Sequence, residues 1–67
     1  MMVSTRHDAD TGASYTVSLD IDTGAFSAGA RAAGRNAVGM SWEPGEITRD
    51  GAVAWAEGIL AETEAER

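Results

Sequence analysis

The sequence contains no cysteine, no lysine and no glutamine, and a single asparagine, proline and histidine. Without cysteine there are no disulfides, thiolate metal sites or cysteine nucleophiles, and a reducing, cytoplasmic setting is expected. No apolar run approaches the roughly 20 residues of a membrane-spanning helix, and the polar first residues lack the pattern of a secretory signal, so no membrane partner is expected. Without lysine, the basic residues are all arginine: Arg6, Arg31, Arg35, Arg49 and Arg67. Eleven acids oppose these five bases, for a formal net charge of −6. A grip on the phosphate backbone needs a basic patch, so direct nucleic-acid binding is not expected. Abundant Ala, Gly, Asp and Arg without Lys fits GC-rich coding better than salt adaptation, because the acid excess is moderate and arginine is retained. The charge speaks to solubility and partners rather than to fold.

Large apolar side chains are also scarce. Hydrophobic residues make up 43% of the 67, but thirteen of them are alanine, which leaves sixteen larger ones. A chain of this size hides only about 60% of the surface that its unfolded form exposes. One small domain over residues 1–67 is expected, with 1–12 partly mobile and 62–67 frayed.

Periodicity places the elements. Tyr15, Val17, Leu19 and Ile21 alternate with Thr16, Ser18, Asp20 and Asp22, the pattern of a strand with one face buried and one in water. Val3, Thr5 and His7 suggest a weaker strand before it. The hexapeptides at 8–13 and 20–25 agree at five of six positions (Asp-x-Asp-Thr-Gly-Ala). Their turn chemistry and twelve-residue spacing suit successive hairpins. Residues 25–37 are ambiguous: Phe26, Ala30, Ala33 and Ala37 fit one helical face, but Gly29 and Gly34 each weaken a helix by about 1 kcal/mol. A strand over 25–31 followed by a loop is preferred. Val38, Met40 and Trp42 alternate with Gly39 and Ser41 as another strand, and Glu43-Pro44-Gly45-Glu46 has the residues of a type II turn.

A helix follows. Thr48 is its expected N-cap, Asp50 complements the dipole, and Ile47 can staple onto Ala52. Ala52, Trp55, Ala56, Ile59 and Thr63 recur at helical spacing, widened by Val53 and Leu60, while Glu57, Glu62, Glu64 and Glu66 take the outer face. The expected fold is α+β: a small antiparallel sheet of three to four strands with one C-terminal helix packed across a face. That face would be built from Tyr15, Val17, Leu19, Ile21, Val38, Met40 and Trp42, opposite Trp55 and Ile59.

Motifs that hint at chemistry fail on their own requirements. Asp22-Thr23-Gly24-Ala25 has the form of an aspartic-protease loop, but that reaction needs two carboxylates in a large cleft. The two Asp-x-Asp stretches open like calcium loops, yet their twelfth positions are Leu19 and Arg31 where a bidentate Glu belongs. Gly29 to Asn36 has P-loop spacing, with Arg35 and Asn36 in place of the required Lys and Ser or Thr. His7 stands alone, and no serine lies in a nucleophile elbow. No catalytic residue, cofactor or metal is expected.

The remaining signals are the acids and the aromatics. Asp20 and Asp22 on the strand, Glu43 and Glu46 at the turn, and Glu57, Glu62 and Glu64 on the helix form a candidate surface for a basic protein partner. Trp42, beside a turn, is a candidate interface anchor. The leading expectation is a non-enzymatic interaction module of viral or mobile-element type. It would inhibit or regulate a basic or nucleic-acid-handling protein by occluding it. The alternative is a self-assembling accessory protein that uses a sheet edge and Trp42. A homodimer is expected, because thin cores without staples gain stability by association.

Overall fold

A computed structural model describes residues 1–65, and side chains through residue 61. Of the segment 62–67 expected to fray, the backbone of 62–65 belongs to the helix, and the last two residues, with the outward Glu66, lie outside the described residues. Four strands, β1 (Met2–His7), β2 (Ser14–Leu19), β3 (Phe26–Arg31) and β4 (Val38–Trp42), form one sheet, followed by a helix, α1 (Arg49–Ala65). The sheet order is β1-β2-β3-β4, with every neighbouring pair antiparallel. The fold is the α+β arrangement that the periodicity predicts.

The repeated hexapeptide builds two loops of one design. In the first, Asp8 N–H donates to Ala13 O and Gly12 N–H to Asp8 O, both at 2.8 Å. In the second, Asp20 N–H donates to Ala25 O at 2.8 Å and Gly24 N–H to Asp20 O at 2.7 Å. Each first aspartate turns a carboxylate oxygen onto the N–H two residues on, at 3.0 Å in Asp8–Asp10 and 2.9 Å in Asp20–Asp22. Each loop threonine accepts from the following alanine N–H at 3.2 Å. The glycine closes the loop with φ of 81° at Gly12 and 84° at Gly24, a region costly for any residue with a Cβ. Asp8 and Asp20 are turn-formers, each with a carboxylate oxygen turned onto its own loop's backbone.

The turn chemistry corrects one expectation. The strand expected to run through Asp22 ends at Leu19, because Asp20 leaves the ladder to cap the loop. Ile21 is therefore carried out of the core and is 72% exposed.

The core lies between α1 and the sheet face carrying Tyr15, Val17, Leu19, Phe26, Ala28, Ala30 and Trp42. Ladder register places these on one face, with Tyr15 opposite Ala30, Val17 opposite Ala28, and Phe26 between Leu19 and Trp42. Val17 is fully buried, as are Ala52 and Ala56 on the helix. Val3, Ile47, Val53, Trp55, Ile59 and Leu60 pack around this cluster. Trp42 and Trp55 meet edge to face, with centroids 5.7 Å apart and planes at 83°. This geometry is worth about 0.5–1.5 kcal/mol beyond the area it buries.

The helix packs over β3 and β2. A helix is about 10–12 Å across and strands are about 4.8 Å apart, so one helix covers about two of the four strands. β1 and β4 are left beside it. On β1 the positions facing the helix layer are Ser4 and Arg6, opposite Val17 and Tyr15. They are polar, and Arg6 reaches Glu57 at 3.7 Å across an exposed surface, an ion pair worth little. On β4 the equivalent positions are Val38 and Met40, opposite Ala30 and Ala28. The expectation that these two join the buried face is corrected: they are 44% and 46% exposed, because the helix does not reach them.

The helix start matches its sequence signals. Thr48 Oγ1 accepts from Gly51 N–H at 3.1 Å, and Thr48 O accepts from Ala52 N–H at 3.0 Å. Ile47 folds back over the first turn, so that a Cβ on Gly51 would lie 2.9 Å from Ile47 Cγ1. A Cβ on Gly58 would meet nothing within 4 Å. Gly58→Ala is therefore expected to stabilise the protein by up to about 1 kcal/mol. Gly51→Ala gains the same propensity but displaces Ile47, and is expected to be neutral or destabilising. Chemical denaturation of the two variants checks the contrast; equal gains would show that Ile47 gives way freely.

Candidate functional site

The antiparallel order sends alternate connections to opposite ends of the sheet. The 8–13 and 32–37 loops lie at one end, and the 20–25 loop and the 43–48 turn at the other. Asp20, Asp22, Glu43, Glu46 and Asp50 therefore gather at the second end, with Arg49 the lone base in those segments. The first end holds Asp8 and Asp10 with Arg31 and Arg35. There Arg31 is structural: its Nη2 donates to Gly12 O at 3.1 Å and holds the first loop.

At the acidic end the two connections touch. A Cβ on Gly24 would lie 3.8 Å from Pro44 Cβ. Glu43 O accepts from Glu46 N–H at 3.0 Å, and Gly45 has φ of 86°, which makes Glu43–Glu46 the type II turn that its residues predict. Glu46 turns its own carboxylate back onto Glu43 N–H at 2.6 Å. Asp20 similarly accepts from Asp22 and Thr23 N–H, at 2.9 and 3.4 Å. Two acids are thus fixed by backbone donors, while Asp22 and Glu43 carry exposed carboxylates beside them.

Between the two connections lies an open cleft of about 400 Å³ lined by Asp20, Phe26, Ser27, Trp42, Glu43 and Glu46, with Ala25 and Ser41 completing it. Phe26 and Trp42 are half-buried neighbours across the ladder. The arrangement is an aromatic wall inside a carboxylate rim. Helix α1 begins beside it, and the positive end of its dipole eases the crowding of negative charge. An aromatic face flanked by carboxylates suits a guanidinium or ammonium group, through cation–π contact and charge-assisted hydrogen bonds.

Of the sequence-proposed contact residues, Asp20, Trp42, Glu43 and Glu46 line this cleft, and Asp22 stands exposed in the same loop without lining it. Glu57 is not part of it. It lies eight residues along the helix from Arg49, about 12 Å away, beside Arg6 of β1. The side chains of Glu62 and Glu64 fall outside the described residues. Phe26 is the member that sequence reading missed as a site residue. Periodicity places Phe26 on a strand, but its register opposite Trp42 depends on the turns at either end.

Among the described residues no three His, Cys, Asp or Glu side chains converge as a metal site, and none of the described helices is long and apolar enough to cross a membrane. Comparison with protein families, with characterised proteins and with solved structures finds no match for this chain, so the site is read from its own geometry.

The loop roles separate charge from shape. Asp20→Asn keeps the oxygen that accepts from Asp22 and Thr23, and is expected to leave stability within about 0.5 kcal/mol. Asp20→Ala removes it and is expected to cost about 1 kcal/mol or more. Paired unfolding curves check this, and an equal loss in both variants would mean that the charge, not the acceptor, holds the loop.

Proposed function

We propose that this chain is a non-enzymatic interaction module that occludes or regulates a basic protein partner through its acidic end. The observation that carries the reading is the convergence of Asp20, Glu43 and Glu46, from two separate connections, around the cleft walled by Phe26 and Trp42, with Asp22 exposed in the same loop as Asp20. An arginine or lysine side chain of the partner inserts against Trp42, and the carboxylates meet its charge and those of its neighbours. Because part of the rim is already held by backbone donors, little order is lost on binding. Long-range attraction by the acid excess speeds encounter, and the aromatic wall supplies a contact that salt does not screen. Proteins that handle nucleic acid carry exposed basic segments of this kind. In such a pairing the module acts as an inhibitor, as small acidic accessory proteins of viral or mobile-element type do. The setting that suits this role is the cytoplasm.

A short arginine-rich peptide is the direct probe. Calorimetric titration should give binding that weakens at least about tenfold from low to moderately high salt. Amide shifts should concentrate at residues 20–26 and 41–46. The triple variant Asp22→Asn, Glu43→Gln, Glu46→Gln, which keeps the turn acceptors, should lose most of the affinity, while Glu57→Gln should retain it. Absence of binding, or binding that ignores the triple variant, would overturn the reading.

A further inference from the structure

The two edges of the sheet are built differently. β1 carries a register shift between Met2 and Ser4, and the polar Ser4 and charged Arg6 on its helix-side face. Bulges and charges are the usual guards of an open edge. β4 reads Val-Gly-Met-Ser-Trp, with no charge and no proline, and pairs with β3 without a break from Val38 to Trp42. Its outer rim has no neighbouring strand, and Val38 and Met40 stand 44% and 46% exposed beside it. A domain with so few large apolar residues leaves two of them on an unguarded edge.

We infer that the outer edge of β4 pairs antiparallel with β4 of a second copy of this chain, with Met40 opposite Met40 at the two-fold axis. Three observations favour a second copy over another partner. First, the edge is self-complementary. Paired positions must share a face, and of the registers this allows only the one centred on Met40 pairs all five residues, with Val38 facing the partner's Trp42 and Gly39 facing its Ser41. Second, this register covers the exposed apolar side chains with their own kind, Met40 on Met40 and Val38 on Trp42, the close cross-strand contacts that stabilise a sheet. Third, it brings opposite charges together at both ends of the contact. Glu43 and Glu46 follow β4 in one copy, and Arg35 precedes it in the other beside Val38, where both line one cleft. The symmetry places the two acidic clefts at opposite ends of the paired strands. This contact draws on Trp42, Glu43 and Glu46, which also line the acidic cleft, but it forms from the protein alone, so its test needs no basic ligand and can fail independently of the acidic-end reading.

The full chain is tested by sedimentation and light scattering across a concentration series. The expected result is reversible conversion from one 7.0 kDa chain to a species of twice that mass. Met40→Lys, at a half-exposed position that holds a lysine without burying it, should remain monomeric at concentrations where the parent is dimeric, with unchanged circular dichroism. The protein has no cysteine of its own, so single cysteines report register. Met40→Cys should form a disulfide-linked dimer on mild oxidation, because facing Cα atoms lie within disulfide reach. Val38→Cys should not, because its own counterpart sits four residues away, about 13 Å. A parent that stays monomeric, a dimer indifferent to Met40→Lys, or cross-linking at Val38→Cys in preference to Met40→Cys would each overturn the proposal. If Met40→Lys fails to fold, the two cysteine variants decide it.

Discussion

The structure depends on a close contact between small side chains. Ala52 and Ala56 of α1 lie fully buried against Val17, Ala28 and Ala30 of the sheet. Alanine brings little apolar area of its own, so the seam works by letting the helix backbone approach the sheet closely enough for larger neighbours to meet around it. Tyr15, Phe26, Trp42, Ile47, Val53, Trp55, Ile59 and Leu60 form that surround. Sheet and helix each leave an apolar face open without the other, and at 67 residues neither has a second layer to turn to.

From that seam follows the division of the surface. A helix seated over β2 and β3 leaves β1 and β4 beside it, and the sequence treats the two strands differently. β1 places Ser4 and Arg6 where water reaches, whereas β4 places Val38 and Met40 there. The meander separately decides where charge collects, because alternate connections fall at the same end. Acids that are twenty-one positions or more apart in sequence, Asp20 and Asp22 on one side and Glu43 and Glu46 on the other, thereby share one end of the sheet. The bare edge and the acidic cleft are products of topology acting on a short chain.

Much of this was legible in the sequence, for local reasons. Period-two alternation marked β2 and β4. The repeated hexapeptide announced two equivalent loops, and Thr48 with Ile47 marked the start of the helix. What was not legible depended on tertiary arithmetic. Ile21 reads as a core residue by alternation, but the hydrogen-bonding of Asp20 ends the strand before it. Val38 and Met40 read as buried because periodicity identifies a face without showing how far one helix extends over it. Phe26 could be placed on a strand, but its position beside the acids required the register across β3 and β4. The acids themselves were visible as residues; their sorting into one end, with Glu57 left on another side, was not.

Native-state hydrogen exchange tests most directly whether the alanine seam makes helix and sheet a single unit. The account predicts that the amides of Val17, Ala28, Ala30, Ala52 and Ala56 are the slowest to exchange and share one opening free energy, equal to that of global unfolding. Exchange of the helix amides at a much lower free energy than those of β2 and β3 would contradict it, because the sheet would then stand without the helix.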